Sequence, residues 1–119
     1  MDTGHCCGIV IRTWLENYRS SAMDPFMVAT YMVKERMRDK IPAVVHIDGT
    51  CRPQLVTNHL NGRYYRMIKE FHKNTKVPMV LNTSFNVDEP IVATAEDALM
   101  MFKYSGLDLL VIEDYIVRK

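Results

Sequence analysis

The chain has 119 residues, 48% hydrophobic and 24% charged, which bounds it to a globular domain of ordinary size with a modest core. Its net charge of +1 gives no electrostatic ground for a nucleic-acid or membrane partner, and the apolar runs at 77–81 and 107–112 are far too short to span a bilayer. The three cysteines include the neighbours Cys6 and Cys7, so they form no disulfide framework and read as thiols of a reducing compartment. The N-terminus has no basic stretch ahead of an apolar one, so a cytoplasmic protein is expected. His5-Cys6-Cys7 lacks a second ligand pair at zinc spacing, so no metal is expected. The nine methionines read mainly as fillers of irregular core gaps.

In chain order, Ile11, Trp14, Leu15 and Tyr18 recur at helical spacing and predict a short helix over 9–18. Residues 20–25 read as a loop, with Asp24 biased away from helix by Pro25. Residues 26–33 are rich in β-branched and aromatic side chains and predict a strand. The charged run KERMRDK at 34–40 reads as a solvated turn or short helix, with a phosphate-binding patch as the alternative. Pro42 opens a predicted buried strand at 43–47, Asp48-Gly49 a tight turn, and 51–57 a second strand. Pro53 removes a ladder donor and places that second strand at an edge or a bulge.

Asn61 is then a candidate N-cap, and Tyr64, Met67, Ile68, Phe71 and Thr75 share one helical face behind it. Residues 77–81 read as a strand buried on both faces. Thr94 followed by Asp97 is a variant capping box. Ala95, Ala98, Leu99 and Phe102 supply the apolar face of its helix, and Gly106 fits the C′ position. Residues 107–112 predict another buried strand, which 115–117 extend after a kink. The order helix, strand, helix, strand after Asn61, with a hairpin before it, predicts an α/β or mixed α+β fold with a right-handed crossover.

Two segments carry polar groups suited to chemistry. On an extended strand Thr50, Arg52 and Gln54 alternate onto one face, offering a hydroxyl, a guanidinium and an amide. A planar guanidinium suits phosphate or carboxylate oxygens; the alternative is the solvated face of an edge strand. The second segment, NTSFN at 82–86, follows a strand end, where open α/β sheets bind ligands. It holds donors and acceptors but no titratable base, so it would orient a ligand and not move protons; the alternative is a polar loop with Asx turns. His46 lacks a nucleophile and an orienting group to work with. The basic helix from Arg63 to Lys76 carries Glu70 and gives little support for nucleic-acid binding.

These segments also carry a family likeness. IPAVVHIDGTCRPQ at 41–54 resembles the PAVxHxDGTxRxQ run of the nodulation and antibiotic O-carbamoyltransferases. VPMVLNTSFN at 77–86 resembles their VPxLLNTSFN, EPIVATAEDA at 89–98 their EPIVxTPEDA, and DPFM at 24–27 their SPFM. The likeness runs in order over residues 24–119. It implies a YrdC-like C-terminal domain, with helices on a twisted mixed sheet, that uses carbamoyl phosphate and ATP as substrates. A carbamoyl-adenylate would form there and pass to an acceptor hydroxyl. By the same likeness Arg52 would hold the phosphate or carbamoyl group, Asn82 and Ser84 would hydrogen-bond the ligand, and His46, Thr50 and Asn86 would line the pocket.

The family's large N-terminal actin-like domain, with its metal ligands and acceptor site, has no counterpart in this chain. Residues 1–23 match the family motifs poorly, and Ala95 stands where the family has proline. The expectation is therefore a carbamoyltransferase C-terminal part, incomplete by itself. The alternative is an inactive interaction module completed by a partner, by the actin-like domain or by homo-oligomerisation.

Overall fold

The computed structural model describes residues 7–11, 25–86 and 90–119. The chain divides into two compact units, Met1–Thr83 and Ser84–Lys119.

The first unit is built on a four-stranded mixed sheet of order β2-β3-β1-β4. Its strands are β1 (Cys7–Ile11), β2 (Tyr31–Met32), β3 (Thr50–Val56) and β4 (Met79–Asn82). β1 pairs parallel with β3 and antiparallel with β4, and the short β2 pairs antiparallel with β3. β1 therefore replaces the start of the helix expected over 9–18. Its run Ile9-Val10-Ile11 is β-branched, and ladders on both sides outweigh a helical spacing that local sequence offers no means to test. The rest of that predicted helix, the loop at 20–24, and His5 and Cys6 lie outside the described residues.

Four further expectations change here. Only Tyr31–Met32 of the strand predicted over 26–33 pairs as an element, and Phe26 and Val28 are exposed. The strand expected at 43–47 is instead a single 3-10 turn at Pro42–Val44, with Ile47 fully outside. The hairpin partner of β3 is accordingly β2. The strand expected at 77–81 runs as β4, Met79–Asn82, at the sheet edge with Leu81 half-exposed, so it is not buried on both faces. Pro53 is fully buried in an interior strand rather than on an edge. β2 covers only Thr50 and Cys51, so among the described residues β3 has no neighbour on that side at Pro53, and a missing donor is tolerated there.

Two apolar layers close this sheet. One face carries Cys51 and Met79, packed with Val33, Met37, Ile41 and Val44 from the segment around α1 (Glu35–Arg38). On the other face Val56 packs with Ile68 of α2 (Gly62–Thr75), flanked by Tyr64, Tyr65 and Val80. The inner stripe of α2 is thus Tyr64, Tyr65 and Ile68, while Met67 and Phe71 stay largely exposed. Asn61 occupies the N-cap position without a side-chain cap bond, and Lys76 ends the helix in the left-handed region at φ 63. Because β4 runs against β1, the β3–α2–β4 connection joins antiparallel strands and is not the parallel crossover expected; the parallel pair is β1–β3.

The second unit is one helix on one hairpin. α3 (Ala95–Tyr104) opens on the expected capping box, in which Asp97 N–H donates to the Thr94 hydroxyl and Thr94 N–H to the Asp97 carboxylate, each at 3.1 Å. β5 (Leu109–Ile112) folds back through Glu113-Asp114 onto β6 (Tyr115–Arg118). Residues 115–117 therefore pair with the preceding strand and do not prolong it. Glu113 takes φ 50 to make that reversal. Ala98 and Phe102 bury against Leu110, while alternate positions Leu109 and Val111 face outward, so β5 is not the doubly buried strand its composition implied.

Candidate functional site

Alternation along β3 sets the site. Cys51 and Pro53 point into the core, so Thr50, Arg52 and Gln54 present the opposite, half-exposed face. On β4 the same parity puts Val80 and Asn82 together. The backbone of Cys7 pairs with Arg52 on one side and Asn82 on the other. Partners in register present side chains to the same face, so Arg52 and Asn82 occupy one row with β1 between them, a backbone separation of about 10 Å at ordinary strand spacing. The next rows, through Val80 and Val56, are the ones α2 covers. The same face is therefore closed by a helix at one end and carries a guanidinium and an amide, both half-buried, at the other.

The turn entering β3 adds a hydrogen-bonded chain. The Thr50 hydroxyl donates to the Asp48 carboxylate at 2.7 Å, and the Thr50 N–H donates to the same oxygen at 2.9 Å. His46 Nδ1 lies 3.0 Å from the Thr50 hydroxyl oxygen. A carboxylate only accepts, so the Thr50 oxygen accepts in turn from Nδ1–H of His46. The turn is tied by His46 N–H to the Thr50 carbonyl at 2.7 Å and Gly49 N–H to the His46 carbonyl at 2.9 Å. Gly49 supplies the φ of +80 this reversal needs. Thr50, through its hydroxyl and then its N–H, holds the Asp48 carboxyl below the usual carboxylate range, with a smaller contribution from His46.

The six residues singled out in the sequence are thus distributed as follows. His46 and Thr50 meet in one hydrogen-bonded turn, and Arg52 and Asn82 in one row of the same sheet. Ser84 and Asn86 belong to the second unit. There Asn86 lines an open groove of about 850 Å³ with residues 90–93 and, from α3, Asp97, Met100, Met101 and Tyr104. Gln54, on the Arg52 face, donates to the Pro25 carbonyl at 2.7 Å and ties the sheet to the segment before β2. Asp48 escaped sequence reasoning because Asp-Gly reads first as a turn; a carboxylate two residues before a threonine was the signal available. Among the described residues no cluster of His, Cys, Asp and Glu is arranged to hold a metal ion, and no helix is long and apolar enough to cross a membrane.

Comparison with known proteins adds a family. The family described as Carbamoyltransferase C-terminus matches residues 6–119, reaching back through a segment that the motifs leave unmatched. The chain is 44% identical over 96 residues to nodulation protein NolNO of Sinorhizobium fredii, covering 80% of this chain and 14% of that protein. It is 42% identical over 96 residues to nodulation protein NolO of Bradyrhizobium diazoefficiens, covering 80% and 18%. An uncharacterized protein of Methanocaldococcus jannaschii is 39% identical over 103 residues, covering 86% of this chain and 17% of its own length. The chain spans less than a fifth of the length of these relatives.

Proposed function

The chain belongs to the carbamoyltransferase C-terminus family, and from that premise we propose that its first unit holds a phosphate-bearing substrate, carbamoyl phosphate or ATP, for carbamoyl transfer to a hydroxyl. The observation that carries this reading is the Arg52–Asn82 row beyond the helix-covered part of the sheet. A guanidinium offers paired N–H donors to phosphate oxygens. The Asn82 amide offers both a donor and an acceptor, as a carbamoyl group requires. His46 and Thr50, locked to each other and to Asp48, form the rim of the same strand. The row contains no free base, so its work is to bind and orient, with transfer completed by the larger assembly of which the relatives are examples.

Calorimetric titration with carbamoyl phosphate tests this. Wild-type binding in the millimolar range or tighter is expected, and Arg52→Ala should lose about 1.5–3 kcal/mol, the worth of a charged hydrogen bond. Arg52→Lys should recover only part, since a point charge replaces a planar fork. A wild type that ignores the ligand at tens of millimolar, or an Arg52→Ala variant that binds unchanged, overturns the assignment.

A further inference from the structure

Arg38 lies at the end of α1, in the charged run whose sequence left a phosphate-binding patch open. It is half-buried, yet it rests on neutral groups. Its Nε donates to the Val33 carbonyl at 3.2 Å, and Nη2 lies 3.5 Å from the Met32 sulfur. A Cβ built on Gly49 would stand 2.6 Å from Arg38 Cζ and 2.7 Å and 2.9 Å from its terminal nitrogens. The guanidinium is therefore laid against the Gly49 backbone, in space that only a glycine leaves. Among the described residues no carboxylate lies within ion-pair distance of it. A cation that has given up part of its water without gaining an opposite charge is electrostatically incomplete.

Its position gives this a direction. Met32 pairs with Thr50, so the group that Arg38 touches stands beside Thr50 on the face that carries Arg52. Arg52 lies two residues further along the same strand, about 7 Å away at ordinary strand rise. Two guanidinium groups brought from separate segments to one strand suit a ligand with two linked anionic groups better than a single small anion. Resting on the anion-site reading above, we infer that Arg38 is a second guanidinium of that site and takes the far phosphoryl group of a ligand carrying two or more.

The probes are inorganic phosphate and inorganic pyrophosphate, titrated calorimetrically into the wild type and into Arg38→Met, which keeps an unbranched chain over Gly49 and Met32 but removes the charge. Wild type should prefer pyrophosphate. Arg38→Met should weaken pyrophosphate about tenfold or more while changing phosphate less than about twofold, and Arg38→Lys should restore part of the preference. An equal loss on both probes would mean that Arg38 only braces the turn, and no loss on either would mean that it stands outside the site; both overturn the inference. Arg38→Gln makes the same comparison if the methionine variant does not fold. A pyrophosphate affinity that depends on Arg52 and not on Arg38 sinks this inference alone, whereas a wild type blind to both probes sinks the anion site itself.

Discussion

The two units of this chain bury their apolar surface in different ways. The first places a layer on each face of its sheet, with Val33, Met37, Ile41, Val44, Cys51 and Met79 on one side and Val56 with Ile68 on the other. The second places one helix on one face of a two-stranded hairpin, with Ala98, Phe102 and Leu110 the buried hydrophobics among its described residues, and leaves Leu109, Val111 and Ile116 largely exposed. An isolated two-stranded hairpin is marginal in water and depends on the helix packed on it, whereas a sheet closed on both faces excludes solvent from its hydrogen bonds. The difference teaches where a binding residue can be held still. Arg52 and Asn82 sit on strands that a central strand and two apolar layers fix in register, while Asn86 sits in an open groove whose walls rest on one small cluster.

Removing the ring at the centre of that cluster tests the comparison most severely. Phe102→Ala should cost about 3–5 kcal/mol. Hydrogen exchange in α3, β5 and β6 should then lose its protection while β1, β3 and β4 keep theirs. Loss of protection in both units together would show that they unfold as one body and that the contrast is false.

A smaller effect is expected at the helix cap. Thr94→Ala removes the hydroxyl that accepts the Asp97 N–H and should lower stability by about 1 kcal/mol, read as a fall in the melting of α3. Thr94→Ser should restore most of it. A cap variant with unchanged melting would mean that the second unit depends less on local bonding than its thin core implies.

The smallest effect concerns acid. Thr94 holds Asp97, and Thr50 holds Asp48, below the ordinary carboxyl value of 3.8. A depressed native value means that each carboxylate adds stability that is complete above 3.8 and is lost as pH falls through the lower native value. Carboxyl titration by NMR should place both midpoints below 3.8, with the α3 cap and the 46–50 turn each loosening as its own carboxylate is protonated. A midpoint at or above 3.8 for either group would show that its hydrogen bonds are not held in solution.

Much of the local structure was legible beforehand, for reasons that differ by element. The α3 capping box is written in four consecutive residues and survives because both of its bonds are local. The Asp48-Gly49 turn and the alternation of Thr50, Arg52 and Gln54 are also short-range and came through intact. The doubly buried strands expected at 77–81 and 107–112 failed because an apolar run records composition, not what lies on each side. The 43–47 segment failed because Ile47, apolar yet fully exposed, carried weight in the pattern that the fold does not use. Of the candidate site, the sequence offers Arg52 and Asn82 from two separate stretches, but not the row that joins them through β1, because residues 9–11 sit in a window with helical spacing.

The sequence by itself determined the family, through ordered motifs over most of the chain, and the elements whose bonds close within a turn or two. The tertiary structure alone decided which strand stands between Arg52 and Asn82, which faces of β4 and β5 meet solvent, and how the Arg38 guanidinium comes to rest on Gly49. Each of these depends on pairing between residues many positions apart. Such contacts form when distant segments compete for the same hydrogen bonds and the same apolar surface, and no window of local sequence contains that competition.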